Sequence, residues 1–340
     1  MEPSSFESFL LRSSSAVLCR ILQQADVLSL VSLSRTSKTL HAIYRWFAEK
    51  AWDPNWRYRQ YFAHVHAFRR LLRRCDALVS GSFALQYFER KRYINSDMDI
   101  YLRTGGVIEM CDWLKKEGYR CTDRGAAYGQ ASRTQHVIRA VTSRGPEHGP
   151  LLGVYSFQRM VATIEGHVEV MKIQLIVVDT SPIEHILFEF HSSERPWRGI
   201  RTLADSIVLV LTAAVMNFLS ADEAISIFPM TTFEDRTSFV SHLRSTAERH
   251  CAWKRKYRKR GFDIVADQKS RSVSRLVLGC RTVGDRHCWR IKFRDTVLPD
   301  GGRGYYNNPS IRIPFEVWSA DMGIVSEGCS IKIADTYVWR

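Results

Sequence analysis

The chain lacks several patterns that would assign it quickly to a class of protein. None of its eight cysteines is spaced C-x-x-C, so we expect neither a zinc ribbon nor a redox-active pair. No cationic leader with an apolar core and a small-residue cleavage site is present, so we expect no signal peptide. The thiols are then expected to be reduced, in a cytoplasmic or nuclear protein. An apolar content of 45% excludes a disordered chain.

A long uninterrupted apolar run is also missing. The longest candidate, residues 203–219, is short for a membrane span, which needs about 20 apolar residues. It also contains Asp205. We therefore expect a buried helix in this run and no membrane partner.

Positive charge is what the chain has in excess. Its 340 residues carry a formal net charge of +14. Such a balance favours acidic partners such as RNA or nucleotide phosphates, with an ordinary basic protein as an equal alternative. The densest basic run is KRKYRKR at 254–260. It fits RNA binding or a nuclear localisation signal. We favour the solvated end of a charged helix that starts near 231, where cations suit the helix dipole.

The N-terminal part reads as helical. Residues 1–15 are rich in serine and are expected to be loose. Residues 16–53 carry apolar residues at helical spacing, with Asp26 and Ser37 where N-caps would start the second and third helices. Residues 54–75 are predicted to form one connecting helix. A compact helical module therefore precedes the rest of the chain.

The remainder alternates strand and helix signals. A helix is predicted before Gly118, which suits a C-cap, and another from Ser181. Glu165 and Gly166 lie between two β-rich runs and predict a hairpin. We therefore predict an α+β fold.

Residues 78–102, LVSGSFALQYFERKRYINSDMDIYL, raise the main question about function. They read as strand, turn, helix, loop and strand. Asp97 and Asp99 fall on one face of the second strand, because side chains repeat every two residues. Two carboxylates so placed suit Mg²⁺, which binds one or two carboxylates together with substrate phosphates. The alternative is a solvated strand edge, with the aspartates paired to cations of residues 90–92.

The turn in this stretch has its own chemistry. Gly81 lets the backbone approach a ligand, and Ser82 begins a helix whose free N–H groups suit a phosphate. The stretch resembles the nucleotidyltransferase superfamily, whose motif is an apolar residue, Gly, Gly or Ser, a spacer, and Asp-x-Asp. The resemblance implies a mixed sheet with flanking helices over residues 76–193. It also implies Mg²⁺, a nucleoside triphosphate, and catalytic Asp97 and Asp99 acting through metals.

The sequence departs from that family at one position. The family supplies a third carboxylate from a later strand, and Gln174 of KIQLIVVD occupies the matching position. An amide carries no charge and is a poor base. Glu169 or Asp179 would replace it only in another strand register. The resemblance therefore implies a nucleotidyltransferase, or a degenerate relative that binds Mg–nucleotide without efficient turnover.

Two further resemblances concern the N-terminal part and most of the chain, respectively. Residues 16–53 resemble an F-box without its usual Leu-Pro opening, which implies binding to an adaptor of a cullin-type ubiquitin ligase. A small bundle packed on the next domain is the alternative. The chain also resembles fungal proteins that combine both parts, in ALQYFERKRYINSDMDIYL, SPIEHILFEFHSS and VMNF. In that group the segments like FHSS and AVMNF are nearly contiguous. We therefore hypothesise that 194–212 is an insertion or a translated intron before a mixed extension, 213–340.

Overall fold

The fold is described from a computed structural model of the chain. It describes residues 3–93, 96–122, 151–162, 166–189, 213–239, 250–265, 277, 279–294, 312–318 and 330–333. The hypothesised insertion at 194–212 lies outside these residues. So does Glu165 of the predicted hairpin turn.

Four helices begin the chain, and side-chain caps fix where they start. They are α1 Ser5–Arg12, α2 Ser15–Gln24, α3 Val27–Ser34 and α4 Lys38–Ala51. Asp26 and Ser37 each accept a hydrogen bond from the backbone N–H three residues later, which confirms both predicted N-caps. The expectation of a loose N-terminus is wrong for residues 5–12. Ser4 and Glu7 form a capping box there, and Leu10 is buried.

The connecting segment is two helices instead of the predicted single one. These are α5 Pro54–Tyr58 and α6 Val65–Arg74. Between them, the N–H of Ala63 and the Nδ1 of His64 each lie 2.8 Å from the carboxylate of Glu117. These bonds hold the intervening backbone outside a helical path.

The strands form one large mixed sheet and two small ones. The strands are β1 Leu78–Ser80, β2 Met98–Arg103, β3 Arg120–Cys121, β4 Leu151–Ala162, β5 Val168–Val178, β6 Asn217–Leu219, β7 Glu223–Ser226, β8 Thr237–Phe239, β9 Asp263–Val265, β10 Gly279–Thr282, β11 Trp289–Lys292, β12 Pro314–Trp318 and β13 Ser330–Ile333. The eight-stranded sheet has the order β11-β7-β6-β1-β2-β5-β4-β3. Only β2 and β5 pair in parallel within it. The predicted α+β class with a mixed sheet and flanking helices is therefore confirmed.

The later helices are α7 Gly81–Glu89, α8 Val107–Lys116, α9 Pro182–Glu184 and α10 His250–Lys259. A 3₁₀ turn, Thr104–Gly106, leads into α8, and α9 continues as a π-helical turn, His185–Glu189. Gly118 has φ +86° just beyond α8, as its predicted capping role requires. The antiparallel pairing of β4 with β5 confirms the predicted hairpin.

Two predicted helices contain strands in part of their described residues. Residues 217–219 form β6, which pairs with β1 and β7, so the buried helix predicted for 203–219 is wrong there. The charged helix predicted from 231 begins instead at His250. Residues 230–234 form a π-helical turn, and β8 follows it and pairs in parallel with β9. In both cases the partner strand is distant in sequence.

The N-terminal helices pack directly on the sheet region, so one apolar cluster runs through both. The indole N–H of Trp52 donates to the carbonyl of Phe88 over 3.1 Å. Arg90, at the end of α7, donates to the carbonyls of Leu22 and Ala25. Among the described helices, none is long and apolar enough by itself to cross a membrane; α2 and α3, bent by 119° to each other, pass that test only as a pair.

Candidate functional site

The turn from β1 into α7 brings the backbone against the carboxylate of Asp99. Gly81 is the first residue of α7 and has φ +66°. A Cβ added to Gly81 would lie 2.0 Å from Oδ2 of Asp99. Glycine is required here both for its backbone conformation and for the space. No side chain caps α7, because the hydroxyl of Ser80 donates to the carbonyl of Asn217 over 2.7 Å. The uncapped N-terminus of α7 and Asp99 therefore form one corner of the site.

The aspartates do not lie on a solvated strand edge. Asp99 faces Ser80 on β1 and Gln174 on β5, so β2 is an inner strand of the sheet. Of the cations proposed as partners, Arg90 contacts backbone carbonyls and Arg92 pairs with Glu169. The edge alternative is wrong because β2 has a paired strand on each side, β1 from the same segment and β5 from residues 168–178.

Gln174, which the family resemblance put at the third-carboxylate position, lies on β5 next to β2. It is the register partner of Asp99, and its Nε2 lies 3.2 Å from Oδ2 of Asp97, to which it donates. Glu169, five residues before Gln174, forms an ion pair with Arg92. Over the described ranges, no group of three or more His, Cys, Asp or Glu side chains is placed to hold a metal. The two aspartates still fit Mg²⁺, because that ion needs only one or two carboxylates when substrate phosphates complete its shell.

Burial and opposite charges act against each other on the two carboxyl groups. Burial raises the pKa of Asp99 to about 7, the charge of Asp97 adds to the rise, and Lys256 and Arg260 oppose it. Burial also raises the pKa of Asp97, against the charges of Lys172 and Lys256. Carboxyl groups perturbed in this way are common at functional sites. A bound cation would favour the ionised form of both.

Two of the three opposing cations, Lys256 and Arg260, come from the basic run at 254–260. Nη1 of Arg260 donates to Oγ of Ser82 over 2.9 Å, and its guanidinium carbon lies 4.1 Å from the ring centroid of Tyr93. Lys256 lies one helical turn earlier, on the same face as Arg260. Tyr257 is buried beside them. We call Lys256 and Arg260 the inner cations.

The remaining cations of the run occupy the other face of α10. These outer cations are Lys254, Arg255, Arg258 and Lys259, and they line a shallow cavity of about 470 Å³. The prediction of a solvated helix end therefore applies to the outer cations only. The i, i+4 spacing of Lys256 and Arg260 was the signal that could have separated the two faces.

Gln86 is a positioning residue that sequence analysis missed. Its Nε2 donates to the carbonyl of Ser82 over 3.0 Å and to Oγ of Ser96 over 2.8 Å. Its Oε1 accepts the N–H of Tyr93 at 2.6 Å. Gln86 therefore ties the loop before Asp97 to the helix that starts at Gly81. No short motif signals such a bond, because its partners lie in an irregular loop.

A different surface is exposed on the N-terminal helices. Val17, Ile21 and Leu28 are 46%, 37% and 39% exposed, on α2 and α3. Phe6 and Phe9 of α1 are 49% and 54% exposed. Val17 and Ile21 share one face of α2 because they are four residues apart.

No family model, no curated protein and no solved structure matches this chain. The function is therefore argued from the chemistry of the site itself.

Proposed function

We propose that the chain is a nucleotidyltransferase-like protein that binds a Mg²⁺–nucleoside triphosphate and turns it over inefficiently. The observation that carries the proposal is the contact between Asp99 and Gly81 at the uncapped start of α7. It joins a carboxylate that can hold a metal to backbone N–H groups that can hold a phosphate.

Each residue of the site has a part in this proposal. Asp97 and Asp99 ligate the metal, and Gly81 and Ser82 hold a phosphate at the start of α7. The inner cations add positive charge beside Ser82, as the contact with Arg260 indicates. Guanidinium groups suit phosphate oxygens because several N–H donors lie in one plane. The triphosphate therefore has donors from both α7 and α10.

Inefficient turnover follows from Gln174. Two-metal transfer needs enough ligands for both ions and a group that accepts the proton of the attacking hydroxyl. Gln174 donates to Asp97 and has no basic atom at neutral pH. The site therefore fits one metal with its nucleotide better than a complete two-metal centre.

Calorimetric titration with ATP, GTP, CTP and UTP, with and without Mg²⁺, tests the proposal. We expect Mg²⁺-dependent binding that the double variant Asp97→Asn, Asp99→Asn loses. Asp112→Asn is the matched control, because Asp112 is an exposed aspartate on α8 whose ion-pair partner among the described residues is Lys115, three residues away. Equal binding by the double variant, or none by the native protein, would refute the proposal.

An F-box-type adaptor is the second candidate, and the exposed apolar residues of α2 and α3 favour it. An F-box binds its partner by burying such faces. Co-purification with the adaptor subunit of a cullin-type ubiquitin ligase tests it. Val17→Asp with Ile21→Asp is expected to abolish the complex, whereas Ile108→Asp, an exposed apolar position on α8, is expected to retain it. This candidate would be excluded if the complex still formed with the Val17→Asp, Ile21→Asp variant, or if the native protein formed no complex.

A further inference from the structure

A second cavity lies between the N-terminal helices and the last strand of the large sheet. It measures about 810 Å³ and is lined by residues of α4, α5 and β11. It shares no lining residue with the aspartate site. Its volume falls within the range of ordinary ligand pockets, about 300–1,000 Å³. We call it the α4–β11 cavity.

One wall of this cavity offers a flat apolar surface. Trp56, on the five-residue helix α5, lines it and is 60% exposed. Trp52 nearby is buried instead, with its N–H bonded to Phe88 and its ring edge-on to Trp289 at 5.3 Å. Trp52 and Trp289 thus form the packed base of the cavity, whereas Trp56 leaves most of its ring accessible. An exposed indole is a stacking surface for a nucleobase.

The same cavity is strongly basic, with six cations and two carboxylates among its lining residues. Four cations are committed to protein groups, and one of them is Lys50, whose Nζ lies 4.1 Å from the ring centroid of Trp46. Arg69 donates to Asn55 and the carbonyl of Ala221, while Arg290 and Arg294 pair with carboxylates.

Two other cations remain available for a ligand. In the part of the chain that the structure describes, no carboxylate pairs with Arg45 or Lys292, and both side chains are exposed. Arg45 comes from α4 and Lys292 from β11, so positive charge enters the cavity from two elements.

We infer that the α4–β11 cavity binds a nucleotide unit. The base stacks on Trp56, and the phosphate lies near Arg45 and Lys292. An apolar ligand would leave these two charges unpaired, and a simple anion would leave the indole unused. The unit comes either from a single strand of nucleic acid or from a free nucleotide. The net charge of +14 accords with a nucleic-acid strand. This inference is independent of the aspartate site.

Fluorescence anisotropy with a labelled ten-nucleotide single-stranded RNA tests it, with AMP titrated separately. Stacking of one base is worth about 1–3 kcal/mol, so Trp56→Ala should weaken binding about tenfold and Trp56→Phe should restore part of the loss. Arg45→Gln with Lys292→Gln should lower the slope of log K against log salt by about 0.7, the value for the one phosphate that is no longer neutralised. Lys116→Gln with Arg120→Gln, two exposed cations elsewhere, is the matched control.

Each outcome decides the inference. Loss of RNA binding in the cavity variants, with the control unchanged and Asp97→Asn, Asp99→Asn retaining it, supports the inference. If AMP binds with the same sensitivity to Trp56→Ala, the free nucleotide is the ligand. If RNA binding is unchanged in the cavity variants and is lost when the outer cations are replaced by Gln, the inference is overturned and α10 is the RNA-binding element. If polyglutamate displaces the RNA as well as unlabelled RNA does, binding depends on charge alone and the inference is overturned. The inference is also overturned if neither RNA nor AMP binds.

Discussion

Replacing Gly81 by alanine tests the corner on which the proposed site depends. The substitution puts a Cβ where the structure leaves 2.0 Å to Oδ2 of Asp99. It also forces an L side chain onto a backbone with φ +66°. The two costs have different origins, and other glycines of the chain allow them to be measured separately.

The expected cost is the sum of two contributions. An L-residue in the left-handed region costs about 1–2 kcal/mol. Overpacking of a filled interior costs about 1–3 kcal/mol more, because the Asp99 carboxylate must move. Gly81→Ala should therefore lower the free energy of unfolding by about 2–5 kcal/mol. A domain with about 5–15 kcal/mol of stability would still fold.

Urea denaturation with two control glycines separates the contributions. Gly166 has φ +80° but nothing within 4 Å of an added Cβ, so Gly166→Ala should show the backbone cost alone. Gly105 has neither constraint, so Gly105→Ala should be neutral or slightly stabilising. Far-UV circular dichroism at zero urea confirms that each variant is folded.

A double-mutant cycle identifies the origin of the extra cost. Asp99→Ala removes Oδ2 and Cγ, the two closest atoms to an added Cβ, and leaves only its own Cβ at an ordinary 3.4 Å, so Gly81→Ala should cost less in that background. The difference should approach the overpacking contribution of about 1–3 kcal/mol. Additivity within about 0.5 kcal/mol would refute the proposed contact between these two residues. So would a cost for Gly81→Ala equal to that for Gly166→Ala.

Three further predictions concern the charges of the site. With EDTA present, the raised pKa of Asp99, about 7 against 3.8 for the free side chain, means that the folded protein retains this proton longer than the unfolded chain. The contribution of Asp99 to the free energy of unfolding should be complete below about pH 4 and should be lost as the pH rises through 7. Asp99→Asn should flatten this pH dependence, measured by urea denaturation. Gln174→Glu should increase the rise in Tm caused by Mg²⁺ and give measurable pyrophosphate release from ATP; an unchanged Tm response would contradict this role. Lys256→Gln with Arg260→Gln should strengthen binding of Mg²⁺ alone and weaken binding of Mg–ATP in calorimetry; a change of the same sign in both would contradict the assigned role.

Sequence reasoning was most successful where the signal is local. The N-caps at Asp26 and Ser37 depend on the few residues that follow them, and both are present. The family resemblance pointed to Gln174 without fixing the strand register, and the structure makes Gln174 the register partner of Asp99. The capping role of Gly118 rests on its backbone conformation alone, and it too is confirmed.

The errors fall where a distant segment decides the structure. Residues 217–219 look helical among their apolar neighbours, yet they pair with β1, far away in sequence. The run after 231 has helical charge spacing, but β8 finds its partner in β9. Local propensity cannot anticipate such pairings, because a strand is stabilised by its neighbours in the sheet. The contact of Arg260 with Ser82 was missed for the same reason.

The juxtaposition of the inner cations and the aspartates has a consequence for ligand choice. Without a ligand, Lys256 and Arg260 oppose the rise in the pKa of Asp99 and so partly neutralise the carboxyl groups. A bare divalent ion entering the site must displace that favourable interaction and leaves the cations facing a dication. A Mg²⁺–triphosphate brings both charges at once. In the proposed complex the carboxylates would pair with the metal and the inner cations with the phosphates, so every charge would keep a partner of opposite sign. Under the proposed function, this arrangement would favour a metal–nucleotide complex over the metal alone, and it would explain why the inner cations lie near Asp97 and Asp99.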